Sequence, residues 1–187
     1  MLFRSRGRRH GRVDGRRRII PDPPLIVPLS DELVDTPFDE YVETVREDVR
    51  VLLGRYAIAD AALKVVGVGS VGTRCAIVLL QGADEDDLLF LQVKEAGASV
   101  LERYLPPSDH PHGGRRVVNG QRLLQSASDA FLGWSDGAHG RHYYWRQLRD
   151  WKGSAPIHKM TSEVLTRYGA VCGWALAKAH ARSEEHT

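Results

Sequence analysis

The stretch VVGVGSVGTRCAIVLL, Val65–Leu80, sets Gly67, Gly69 and Gly72 in the spacing G-x-G-x-x-G between two apolar runs. The residues after the third glycine decide the fold. In a dinucleotide-binding domain that glycine opens a helix whose N-terminus receives a pyrophosphate. Here Gly72 leads into the β-rich run Thr73–Gln81. A Walker-type loop fails as well, because no G-K-[S/T] closes the motif. The pattern left is a strand, a glycine turn and a returning strand, the flap with which protein-kinase-like enzymes cover the phosphates of ATP. Glycine suits that task since a Cβ would hold the backbone N–H groups away from phosphate oxygens. On local sequence alone, the same residues also fit a tight β-hairpin that needs positive φ and binds nothing.

The flap template requires a lysine on the third strand. Lys94, in LLFLQVKEA, ends the apolar run Leu88–Lys94, 22 residues beyond Gly72, and would present its ammonium to the α- and β-phosphates. The runs Leu63–Gly67, Thr73–Gln81 and Leu88–Lys94 are therefore expected to form an antiparallel meander. A helix should carry a carboxylate that fixes the lysine. The helical pattern Arg115–Ser126 has no central acid, so Asn119 is the nearest polar candidate, with Glu102 in the preceding ASVLERYL segment as a substitute.

Around this centre, IIPDPPLIVPL is too rich in proline for a helix or a central strand and should run extended. Thr36 offers an N-cap and Pro37 a first helical residue for one helix whose apolar positions run from Phe38 to Tyr56. Two more strands, near Ala130–Trp134 and Arg141–Leu148, flank the turn SDGAHG. In RHYYWRQLRDWKGS, strand alternation puts Tyr143, Trp145 and Gln147 on one face. A long amphipathic helix carries Val164, Leu165, Tyr168, Val171, Cys172, Ala175, Leu176 and Ala179 on one stripe and Trp174 off it. His110 and His112, in PPSDHPHGG, lack further ligands at a spacing that completes a tetrahedron, so they read as solvated loop residues and no metal ligand is expected.

Charge is unevenly placed. The net value of +2 hides eight arginines between Arg4 and Arg18 against one acid, Asp14, so the rest of the chain is mildly acidic. The arm reads as a disordered extension over residues 1–18, and nucleic acid ranks last among partners because no binding fold comes after it. No apolar run approaches the roughly 18 residues of a bilayer span, so no membrane partner is expected. Cys75 and Cys172 lie far apart in apolar patterns, which suits a reducing, cytoplasmic setting.

The segments DPPLIVPL, KVVGVGSVGTRCAIVLL, LFLQVKEAGASVLERY, GQRLLQSASDAFLGW, YYWRQLRDWKGS and CGWALAKAHARS closely resemble the bacterial family called domain of unknown function 2252, over about Ile19–Ser183. The resemblance implies a distantly kinase-like fold. Family members are longer and carry, upstream, a Gly-Asp-Ala-His-x-x-Asn-Phe stretch and an Asp-rich stretch that look like catalytic and metal-binding loops; neither occurs in this sequence. They commonly have glutamate where Asn119 stands. The chain thus reads as an internal fragment.

Together these readings predict an α+β lobe with an antiparallel sheet of about five strands. Residues 1–18 form the arm, 19–36 an extended segment, 37–160 the nucleotide-covering lobe and 161–187 a long helix opening a second part. The expected function is the phosphate-binding half of a kinase-like phosphotransferase, inactive alone, with Gly67, Gly69, Ser70, Gly72 and Lys94 holding ATP. Magnesium would be needed, its ligands lying outside this sequence. The alternative is a non-enzymatic scaffold or interaction domain.

Overall fold

The computed structural model describes residues 10–13, 16–29, 38–65, 72–148 and 155–184. Two compact units are present, Met1–Val118 with Asp129–Leu148, and Asn119–Ser128 with Arg149–Thr187.

In the first unit β1 (His10–Val13) and β2 (Arg16–Ile19) pair as a hairpin. After them come β3 (Ile26–Pro28), α1 (Phe38–Thr44), α2 (Glu47–Leu53), β4 (Ala57–Lys64), β5 (Cys75–Gln81), β6 (Leu88–Glu95), α3 (Gly113–Leu124), β7 (Gly133–Gly137) and β8 (Arg141–Gln147). Strands β3–β8 make one antiparallel sheet in the order β3-β4-β5-β6-β8-β7. The α+β class and the β4-β5-β6 meander agree with the sequence. The sheet has six strands rather than about five, because the proline-rich segment supplies β3. Pro28 fits there, since β3 is an edge strand and needs no donor on its outer side.

Three further expectations are corrected. The single helix from Phe38 to Tyr56 is two helices, since Arg46 is extended (φ −63°, ψ 152°). The strand entering the glycine turn begins at Ala57, not Leu63. The arginine-rich arm is not a disordered extension over its described part. Asp60 accepts from the Ile19 backbone N–H at 2.7 Å and from Arg18 at 3.0 Å, Arg17 donates to Asp86 at 2.7 Å, and Arg12 pairs with Glu85. The arginines thus pair with acids of the mildly acidic body.

Strand alternation sorts the core into two layers. Val78 and Leu80 of β5, Leu89, Leu91 and Val93 of β6 and Tyr143 and Trp145 of β8 pack with Tyr41, Val45, Val49 and Leu53 of the α1–α2 segment. On the opposite face Ile77 and Leu79 pack with Ala62, Leu148 and Ile19 from β2. Each fully buried aliphatic side chain contributes about 1.5–3 kcal/mol, and the two layers fix which side chains leave the sheet on which side.

In the second unit the chain runs from the end of α3 to α4 (Ser162–Glu184). Arg182 donates to the carbonyls of Leu123 at 3.3 Å and Leu124 at 2.5 Å, placing a cation on the unsatisfied C-terminal carbonyls of α3. Trp174 is exposed, but so are Val164, Leu165, Tyr168, Val171 and Leu176 of the apolar stripe, so the expected contrast between a covered stripe and an exposed Trp174 side is not seen. No helix among the described residues is long and apolar enough to cross a membrane.

Candidate functional site

The sheet's basic face is built by register. Cys75, the first residue of β5, pairs with Lys94 of β6, and Lys94 pairs with Tyr144 of β8. One row deeper, Ile77, Gln92 and Arg146 are aligned in the same way. Directly paired residues share a face, so Cys75, Lys94, Tyr144, Gln92 and Arg146 leave the sheet together, opposite the α1–α2 core.

Polar contacts lock the deeper row. Arg146 donates from Nε and Nη2 to Gln92 Oε1 at 3.0 and 2.8 Å, and the amide nitrogen of Gln92 donates to Cys75 Sγ at 3.4 Å. Burial pushes the Cys75 thiol up, opposed by the charges of Lys94, Lys64 and Arg146 and by the Gln92 bond. Among the described residues, the charges acting on this thiol are those of Lys94, Lys64 and Arg146, all cations. Tyr144 is likewise pushed up by burial and drawn down by Arg146.

Of the turn that joins β4 to β5, Gly67, Gly69 and Ser70 lie outside the described residues. Gly72 has φ +84°, the left-handed region, and nothing stands within 4 Å of where its Cβ would be. Conformation rather than space calls for glycine there. The returning strand is pinned beyond it: the Arg74 N–H donates to Glu95 Oε2 at 3.0 Å while the Glu95 N–H donates to the Arg74 carbonyl at 2.9 Å.

The two candidate partners of Lys94 are carried by helical elements rather than by strands. Glu102 lies in the 3-10 turn Val100–Arg103 and lines a cavity of about 420 Å³ with Glu95, His110, Arg116, Arg141 and His142. Lys94 is not among its lining residues. Asn119 stands in the part of α3 that belongs to the second unit.

A side-chain cluster that ligand spacing in the sequence does not reveal joins α3 to the β7–β8 hairpin. Asp136 and His142 are a cross-strand pair, and the His142 ring stacks on His112 with centroids 4.1 Å apart. Asp136 Oδ1 lies 3.3 Å from His112 Nε2 and 3.7 Å from His142 Nε2. His112 caps α3, its Nδ1 accepting from the Arg115 N–H at 3.0 Å; His142 Nδ1 accepts from the Gly113 N–H at 3.0 Å. His112 is therefore a half-buried capping residue, not a solvated loop residue. The ligand atoms of the trio lie within 4.8 Å of one another, a spacing one cation could bridge. The ring polarity opposes a metal: a ligating imidazole normally donates its other N–H, whereas both Nδ1 atoms here accept. The trio fits two neutral rings, protonated at Nε2 and turned toward one carboxylate.

Burial, then His142, lowers the His112 pKa, against Asp136 and Glu40, which raise it. A base whose folded pKa lies below its unfolded value of 6.5 takes up its proton first in the unfolded chain. Its contribution is full above that value and is lost as pH falls through the folded pKa. Stability should thus decline on acidification below about 6.5. In His112→Asn, which keeps a capping oxygen without a titrating ring, the decline should be shallower; equal urea midpoints across the pH series in both proteins would refute this.

Fold and register define the chain's class as an α+β domain with an antiparallel sheet, one face of which carries Lys94 and Arg146. The family model described as "Uncharacterized protein conserved in bacteria (DUF2252)" matches residues 4–187, and the chain belongs to that family. Searches of the curated proteins and of the solved structures found no match.

Proposed function

We propose that this chain forms the phosphate-covering half of a kinase-like phosphotransferase, with ATP and magnesium as the nucleotide ligand. Gly67, Gly69, Ser70 and Gly72 cradle the phosphates and Lys94 pairs with them. Glu102 and Asn119 remain the candidates for orienting the lysine. One observation carries the reading: Lys94 stands directly across from Cys75, on the strand that returns from the glycine turn, where the charges of Lys64 and Arg146 also converge. Anionic oxygens placed there meet cations on a face whose floor is already hydrogen-bonded. No residue of this chain is assigned as acceptor base or magnesium ligand, so the proposed role is binding and not transfer.

The test is a thermal-shift titration with ATP and magnesium. Ligand that binds only the folded state raises Tm with concentration. Lys94→Ala removes a charge-assisted hydrogen bond of about 1.5–3 kcal/mol, so its ATP affinity should fall about tenfold or more. Superimposable ATP titrations of the two proteins would remove Lys94 from the site.

A further inference from the structure

Resting on that phosphate-binding role, we propose that Lys64 is a second phosphate-binding cation, so that Lys64 and Lys94 grip a polyphosphate chain from the two sides of Cys75. Strand register places the two lysines. Leu63 pairs with Ala76, so the next residue of β4, Lys64, comes level with Cys75, which in turn pairs with Lys94. Alternation along β4 puts Lys64 on the face of Ala62, which packs with Ile77 and Leu79, the face Cys75 shares. Lys64, Cys75 and Lys94 thus form one row across three neighbouring strands. The action of both lysine charges on the Cys75 thiol agrees with this placement.

The row sits where β4 ends and β5 begins, because Lys64 is the last residue of β4 and Cys75 the first of β5. Adjacent strands are about 4.8 Å apart, which starts the two lysine stems about 10 Å from one another. Each stem is long and flexible and ends in three donors. A single phosphate would draw both inward over the thiol, while a di- or triphosphate offers each ammonium its own phosphoryl oxygens. Arg146 has a different role. Its Nε and Nη2 are committed to Gln92, which holds the amide against Cys75, so it fixes the floor and adds charge. The ligand class this implies is a polyphosphate, recognised through its chain of anionic oxygens whether or not a nucleoside is attached.

Isothermal titration of the full chain with inorganic tripolyphosphate, ATP and AMP, each with magnesium, tests the grip. Lys64→Ala is expected to weaken tripolyphosphate and ATP about tenfold and AMP much less, with Lys64→Arg keeping most of the affinity. The inference is overturned if Lys64→Ala binds tripolyphosphate and ATP like the parent chain while Lys94→Ala does not, an outcome that leaves the phosphate reading standing. A parent chain that binds neither tripolyphosphate nor ATP overturns both. Lys64→Arg carries the same outcome if Lys64→Ala does not fold: affinity lost despite retained charge and retained melting temperature would count against a simple ammonium–phosphate contact.

Discussion

Replacing Trp145 by alanine is expected to lower the stability of the sheet unit by about 3–5 kcal/mol, more than any other single substitution proposed for this chain. The indole is fully buried at the centre of the α1–α2 layer. It stacks on Tyr41 with centroids 4.5 Å apart and planes 13° from parallel, and meets Phe38 at 6.0 Å. Its Nε1–H donates at 2.9 Å to Ser135 Oγ, itself fully buried. Truncation opens a cavity no neighbour can fill without moving α1 off the sheet, and it leaves the serine oxygen without its donor. Tyr41 could not move in freely, because its hydroxyl donates to the Phe131 carbonyl at 2.9 Å and burial holds that phenol neutral far above the ordinary range. Trp145→Phe gives a graded loss. It keeps part of the stacked ring and removes the donor together with some ring volume, for which a loss of about 1–3 kcal/mol, smaller than that of Trp145→Ala, is expected. Urea unfolding of the three proteins, read as midpoint shifts at constant slope, measures both. A Trp145→Ala midpoint indistinguishable from the parent's would show that the layer is not built around this ring.

How far the sequence leads depends on where each element gets its stability. β5 and β6 are legible because CAIVLLQ and LLFLQVKE are dense in residues that fit a buried pleat. α3 and α4 are legible from helical spacing. β4 is largely hidden, since AIADAALK is poor in strand formers and is held by pairing with β3 and β5 on either side. The β1–β2 hairpin is hidden because its arginines are matched by Asp60, Glu85 and Asp86, acids more than forty residues away in sequence. The basic face is half visible. Lys94 emerges from strand counting, but bringing Lys64 and Arg146 level with the Cys75–Gln92 floor needs the register of four strands. The histidine trio is not visible from ligand spacing at all. Its one local signal is the hairpin SDGAHGRH, in which a short turn sets Asp136 across from His142; His112 joins them only because α3 packs there.

That packing sets the second large effect. Gly114→Ala is expected to destabilise the sheet unit by about 1–3 kcal/mol or more, and to separate His112 from His142. Gly113 and Gly114 open α3 and are both buried. A Cβ on Gly114 would run into the Tyr143 carbonyl of β8 and stand 2.8 Å from His112 Cε1, and one on Gly113 would meet the Ala96 carbonyl. The obstacle is backbone in each case, so relief requires the helix start to move away from the sheet rather than a side chain to turn. Moving it stretches the bond from the Gly113 N–H to His142 Nδ1 and unstacks the two rings. Helix propensity works in the opposite direction, because alanine in a helix is favoured over glycine by about 0.5–1 kcal/mol. Gly120→Ala isolates that term, since nothing stands within 4 Å of a Cβ there. The expected pattern is therefore opposite in sign within one helix, Gly120→Ala unfolding at higher urea than the parent and Gly114→Ala at lower. The ring signals of His112 and His142 should shift in Gly114→Ala and keep their parent positions in Gly120→Ala. Two stabilised proteins would mean that α3 does not seat against β8 through its first two glycines.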